Sequence, residues 1–177
     1  MSTAAPGSAI GTSATPLARS WHAVPPRQRA LEGLRFLVHA SGTNTGVWAD
    51  VFERLGGFDE RMPAGEDVEF SWRAQLASCR LVVAERAVVH ERLRADVGSL
   101  VRQHYRYGQA GSDLYRRFHR AGMPHSALSE SLRTWSWLAC AAPLVPWSAR
   151  VRGRWALEAA LGAGRLVGSV RHRVAFV

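Results

Sequence analysis

The chain has 177 residues, enough for one domain with a substantial core and short for two. A hydrophobic fraction of 47% against 21% charged is that of a globular chain and excludes a wholly disordered one. Its 23 basic residues are all arginine and outnumber the 14 acids, giving a formal net charge of +9. Arginine's planar fork suits phosphates and carboxylates, so a nucleotide diphosphate, a phospholipid or a nucleic acid all remain open as partners.

Cys79 and Cys140 are too few for a disulfide framework and form no CxxC pair, which fits a reducing, cytosolic compartment. Met1 to Thr15 has neither the basic nor the apolar region of a signal peptide. No apolar run reaches the roughly 18 residues of a bilayer-spanning helix. A cytoplasmic protein is expected.

Residues 1–34, rich in Ala, Ser, Thr, Gly and Pro, read as a flexible leader. Residues 35–94 read as a compact α/β unit. In it, Phe36-Leu37-Val38 is a short strand running into a Ser41-Gly42-Thr43-Asn44 loop. Val47 to Leu55 suits a helix stopped by Gly56-Gly57, and Phe58 to Gly65 a loop. Glu66 to Cys79 is the clearest helix, with Val68, Trp72, Leu76 and Cys79 in one stripe at spacings of 4, 4 and 3. Arg80 to Ala84 and Ala87 to Val89 are β-branched runs that would close the unit as strands. Strand, helix, loop, helix, strand is the order of an α/β layer.

Residues 95–177 read as a basic, tryptophan-rich helical region. Leu100, His104, Tyr107, Gly111, Leu114 and Phe118 make one helical stripe with Arg102, Arg106, Arg116, Arg117 and Arg120 largely off it. Trp135 to Trp147 is apolar and too short to span a bilayer, and Arg150, Arg152 and Arg154 follow it. Two readings stay open: helices packing their apolar faces onto the α/β unit, or peripheral attachment at the inner face of the cell membrane.

The chemistry is concentrated in Gly42-Thr43-Asn44, Leu55-Gly56-Gly57-Phe58-Asp59-Glu60, Gly65-Glu66-Asp67-Val68-Glu69-Phe70-Ser71-Trp72-Arg73 and Val88-Val89-His90. An alcohol that attacks a sugar's anomeric carbon must lose its proton, so a carboxylate has to lie within hydrogen-bond reach. An acid in the first turn of a helix, after a glycine-containing loop, suits that role, because the loop admits substrate and the helix dipole favours negative charge there. The bland alternatives are that Glu66 and Asp67 merely complement the dipole, that Glu69 and Arg73 form only an i, i+4 surface pair, that Asp59-Glu60 is turn chemistry, and that Trp72 is core.

In combination, these pieces resemble the C-terminal half of family 2 glycosyltransferases with the GT-A fold. The resemblance implies an inverting enzyme that moves a sugar from a nucleotide sugar to a glycan or lipid-linked acceptor. It implies Asp67 as catalytic base, Glu66 and Asn44 at the acceptor site, and Trp72 and Arg73 supporting the cleft from the same helix. It further implies His90 beside a divalent metal, Mg or Mn, on the donor diphosphate. The fold it implies is a partial GT-A-like α/β unit followed by helices. The chain departs from the pattern in one respect. No Asp-x-Asp occurs, and about forty residues precede Gly42 where a nucleotide-binding half needs about a hundred. The expectation is therefore a chain that is truncated, or whose nucleotide-binding half comes from a protein partner. A degenerate, non-catalytic module that binds a glycan or a partner at the membrane is the alternative. A nucleic-acid binder is not expected, since no zinc pattern, RNP-like motif or clear helix-turn-helix accompanies the arginines.

Overall fold

The computed structural model describes residues 35–84, 86–89, 96–126 and 128–176. The expected leader (residues 1–34) and His90 lie outside the described residues. In chain order the elements are a 3-10 turn at Gly42–Asn44, α1 (Ala49–Arg54), α2 (Glu66–Leu76), α3 (Val97–Phe118), α4 (Leu128–Ala141) and α5 (Ala149–His172). Shorter 3-10 turns at His119–Ala121 and Ala142–Leu144 follow α3 and α4.

The α/β expectation is overturned: among the described residues there is no strand and no sheet, so the partial GT-A-like layer is not seen. A strand exists only where a neighbour completes its hydrogen-bond ladder. The segment expected as the first strand has its backbone met by side chains of α2 instead. Trp72 Nε1 donates to Leu37 O at 2.8 Å, Gln75 Nε2 to Val38 O at 2.7 Å, and Ala40 N donates to Ser71 Oγ at 3.1 Å. The two β-branched runs have no covered face on which to pack: Val82 and Val83 are 73% and 64% exposed, Val88 and Val89 55% and 50%.

Helix ends depart from the sequence pattern for local reasons. α2 stops at Leu76 rather than Cys79 because Ser78 turns left-handed (φ 66°). Ser78 N and Cys79 N then bond back to Gln75 O and Ala74 O, the paired bonds of a Schellman stop. α1 ends the same way at Gly56 (φ 80°), with Gly57 N donating to Phe52 O at 2.9 Å.

The core centres on Trp72, which has no exposed surface. Phe36 and Phe118 meet it edge-on, with ring centroids 5.1 and 5.3 Å away. Met62, Leu114, Met123 and Phe176 complete the cluster, so one core draws on both sides of the expected boundary at residue 94. The stripe expected on α3 is buried at Leu100, His104, Gly111, Leu114 and Phe118, while Tyr107 is 43% exposed. Gly108 and Ser112 replace Tyr107 on the packed face because α5 lies against the backbone there.

That α3–α5 contact is the most extensive helix pair. A Cβ at Gly108 would sit 2.2 Å from Leu161 O, and one at Gly164 would sit 2.1 Å from Tyr105 O. Ser112 Oγ donates to Arg165 O across the same seam at 3.0 Å. Small residues allow backbones this close, and the atoms opposing them cannot swing aside as a side chain would. Gly164→Ala should therefore destabilise the fold by about 2 kcal/mol, because an overpacking cost of up to ~3 kcal/mol exceeds a helix-propensity gain of up to ~1 kcal/mol. Urea unfolding checks this, with Val167→Ala, at an exposed position of the same helix, expected to change stability little.

Candidate functional site

The site forms where the Gly42–Asn44 turn meets the first turn of α2. Gly65 starts the helix from a left-handed conformation (φ 79°), and a Cβ there would meet Ala110 Cβ at 3.2 Å. Both constraints favour glycine. Glu66 and Asp67 follow at once and are half-buried. Asp67 Oδ2 accepts Gly42 N at 2.8 Å, and Oδ1 accepts Val68 N at 2.8 Å. Each carboxylate oxygen keeps further lone-pair capacity, so these bonds orient the group without exhausting it.

Asn44 reaches the other way, its Nδ2 donating to Ala87 O at 2.9 Å. The turn is thereby pinned between α2 and the segment that leads to His90. Residues 41–50 are all exposed, so the turn faces solvent, with the half-buried Asp67 carboxylate behind it. Of the residues picked from the sequence, Glu66 and Asp67 lie together at this helix start, while Asn44 ends the facing turn with its side chain directed to Ala87 O. Trp72 lies behind them in the core, holding the approach segment through Leu37 O.

Arg73 also works from behind. It makes a two-pronged pair with Glu69, with Nε to Oε1 at 3.0 Å and Nη2 to Oε2 at 2.8 Å. It donates as well to Leu55 O and to Gly57 O. The pair expected on the surface thus caps the end of α1, with Glu69 only 5% exposed.

The Gly56–Arg61 turn lines a shallow hollow of about 430 Å³ with Glu69, Arg73 and Arg117. Asp67 is not among its lining residues. Asp59 binds Arg61 N and Nε at 3.1 and 3.0 Å, and Arg117 bridges from α3 to Asp59 at 2.9 Å and to Asp113 at 3.0 Å. Hydrogen bonds from Arg61 and then Arg117 hold the Asp59 carboxyl well below the usual carboxylate range.

Three further residues were given no site role by the sequence. His39 has a buried Nδ1 with no hydrogen-bond partner among the described residues. Burial lowers its pKa, and the nearby Asp67 opposes that. Trp48, at the N-terminal edge of α1, is 81% exposed. Arg117 joins α3 to the Asp59 turn. None belongs to a recognisable motif; an apolar Trp just past a glycine-containing turn was the one available signal. Among the described residues no three His, Cys, Asp or Glu side chains are grouped to hold a metal. His90, which the resemblance places beside the divalent cation, lies outside the described residues.

A half-buried carboxylate oriented by backbone amides at a helix start, behind an exposed glycine-containing turn, keeps lone-pair capacity for a further hydrogen bond. The chain belongs to the glycosyl transferase family group 2, whose model matches residues 20–163. No curated protein and no solved structure matches it.

The Asp59 links have a pH signature. A group whose carboxyl is depressed in the folded state stabilises the fold above its unfolded value of about 3.9, and that contribution is lost as pH falls from there towards the folded value. Asp59→Asn should accordingly flatten the acid limb of stability below about pH 3.9. Fluorescence-monitored urea unfolding at stepped pH checks this, and an unchanged acid limb would count against the bridge.

Proposed function

We propose that this chain forms the acceptor side of an inverting transferase that moves a sugar from a nucleotide sugar to a glycan or lipid-linked hydroxyl, with Asp67 as general base. The supporting observation is the Asp67 carboxylate itself, held by Gly42 N and Val68 N beside an exposed turn. In the reaction an acceptor O–H gives its proton to Asp67 as its oxygen bonds to the anomeric carbon. The bond from that carbon to the diphosphate breaks on the opposite face, and the diphosphate leaves with the electron pair. Glu66 and Asn44 shape the acceptor's approach. Arg73 and Trp72 act by fixing the turns from within. The donor's nucleotide is held by a nucleotide-binding half that a protein partner supplies.

Asp67→Asn should lower sugar transfer by about 10²–10⁴-fold, the usual share of a general base, with the helical circular dichroism spectrum preserved and the melting midpoint somewhat lowered, since Asn cannot accept from both Gly42 N and Val68 N. Nucleoside diphosphate release from a panel of nucleotide sugars reads this, and turnover that survives the substitution would sink the assignment. Trp48, exposed a few residues past Asn44, offers a sugar ring a flat apolar face. Trp48→Ala should raise the acceptor KM about tenfold, with kcat little changed, if it supplies uniform binding worth ~1.4 kcal/mol.

A second reading is favoured by the lack of an Asp-x-Asp in the sequence. It makes the chain a glycan-binding module without turnover. Glycan binding by calorimetry that persists in Asp67→Asn, with no diphosphate release in either protein, would establish it.

A further inference from the structure

An apolar stripe of α4 is largely uncovered among the described residues. Leu128, Leu132, Trp135 and Ala139 follow at spacings of 4, 3 and 4, one stripe along the helix. Leu128 and Leu132 are 69% and 59% exposed, while Trp135, 41% exposed, leans against α5 beside Gly162. Ser131, Leu138 and Ala141 turn the other side of α4 into the protein.

The stripe runs into an elbow, the Ala142–Leu144 turn and the residues up to Ser148, where Leu144 is 55% and Trp147 87% exposed. This elbow is braced. Trp155 Nε1 donates to Leu138 O at 2.8 Å, Trp147 N to Leu144 O at 3.2 Å, and Val151 N to Ser148 Oγ at 3.3 Å. Trp147 is therefore held outward by a built turn. A large aromatic held in water by a structured turn calls for an occupant.

The surrounding charge indicates which one. Arg133, Arg150, Arg152 and Arg154 are all exposed, and no Asp or Glu occurs between Glu130 and Glu158. The Arg154 guanidinium lies 4.4 Å from the Trp137 ring, the pairing of cation and indole that suits a headgroup layer. Glu130, at the far end of α4, is paired with Arg35, so around the elbow the exposed charges are of one sign, which matches a uniformly anionic surface, whereas a protein interface would carry rim charges of both signs. No helix among the described residues is long and apolar enough to cross a membrane.

We infer that the α4 stripe and the 142–148 elbow dock this protein onto an anionic lipid bilayer, with Leu144 and Trp147 at headgroup depth and the arginines against lipid phosphates. The inference stands independently of sugar transfer.

The test is flotation of the full chain with vesicles of phosphatidylcholine alone and of phosphatidylcholine with one quarter phosphatidylglycerol. Binding is expected to the mixed vesicles only, weakening with salt. Arg150→Gln should weaken it about fivefold. Leu144→Asp and Trp147→Ala, both at exposed positions and checked for an unchanged melt, should each weaken it about tenfold or more. Three results would overturn the inference: equal partition of Leu144→Asp and wild type, no binding to mixed vesicles, or a lipid-free dimer that the same substitutions abolish, which would make a second copy the occupant.

Discussion

The structure depends on side chains of one short helix satisfying the backbone of another segment. α2 takes Leu37 O, Val38 O, Ala40 N and Gly42 N through Trp72, Gln75, Ser71 and Asp67. It takes Leu55 O and Gly57 O through Arg73. Backbone groups left unmet in a folded interior cost as much as a lost hydrogen bond, so these pairings decide where both flanking turns sit. Asp67 belongs to this set. The carboxylate assigned the proton is also the clip that holds the turn over it, which joins the local stability of the site to its chemistry.

The electrostatic arrangement follows from the same helix. Glu69 is buried and answered by Arg73, and Arg117 adds a cation from α3 that reaches Asp59 and Asp113. Buried charge is tolerated because each acid has a guanidinium in hydrogen-bond reach. Arg117 thereby ties the Phe58–Arg61 turn to the long helix, a connection between segments far apart in the chain.

Much of the site was legible in the sequence because its signals are local. Gly65 followed by two acids marks a helix start, and Gly56-Gly57 marks a stop whatever lies around it. Those features are present as expected. The strands were not legible, because a β-branched run states a preference and a ladder partner decides the outcome. The runs at 80–84 and 87–89 read as strands in isolation and face solvent in the fold. Trp72 was legible as a member of an apolar stripe, whereas its indole bond to Leu37 was not, since nothing in the spacing says which carbonyl lies nearby. Tyr107 shows the same limit: whether α3 turned that ring or Gly108 inward was settled by α5, more than fifty residues on.

The glycine seam between α3 and α5 also bears on motion. Helices packed through side chains slide past one another by about 1–2 Å as rotamers readjust. Where main chain lies against main chain, at Gly108 and Gly164, there are no rotamers to readjust and no slack to take up. The two long helices therefore behave as one inflexible bar.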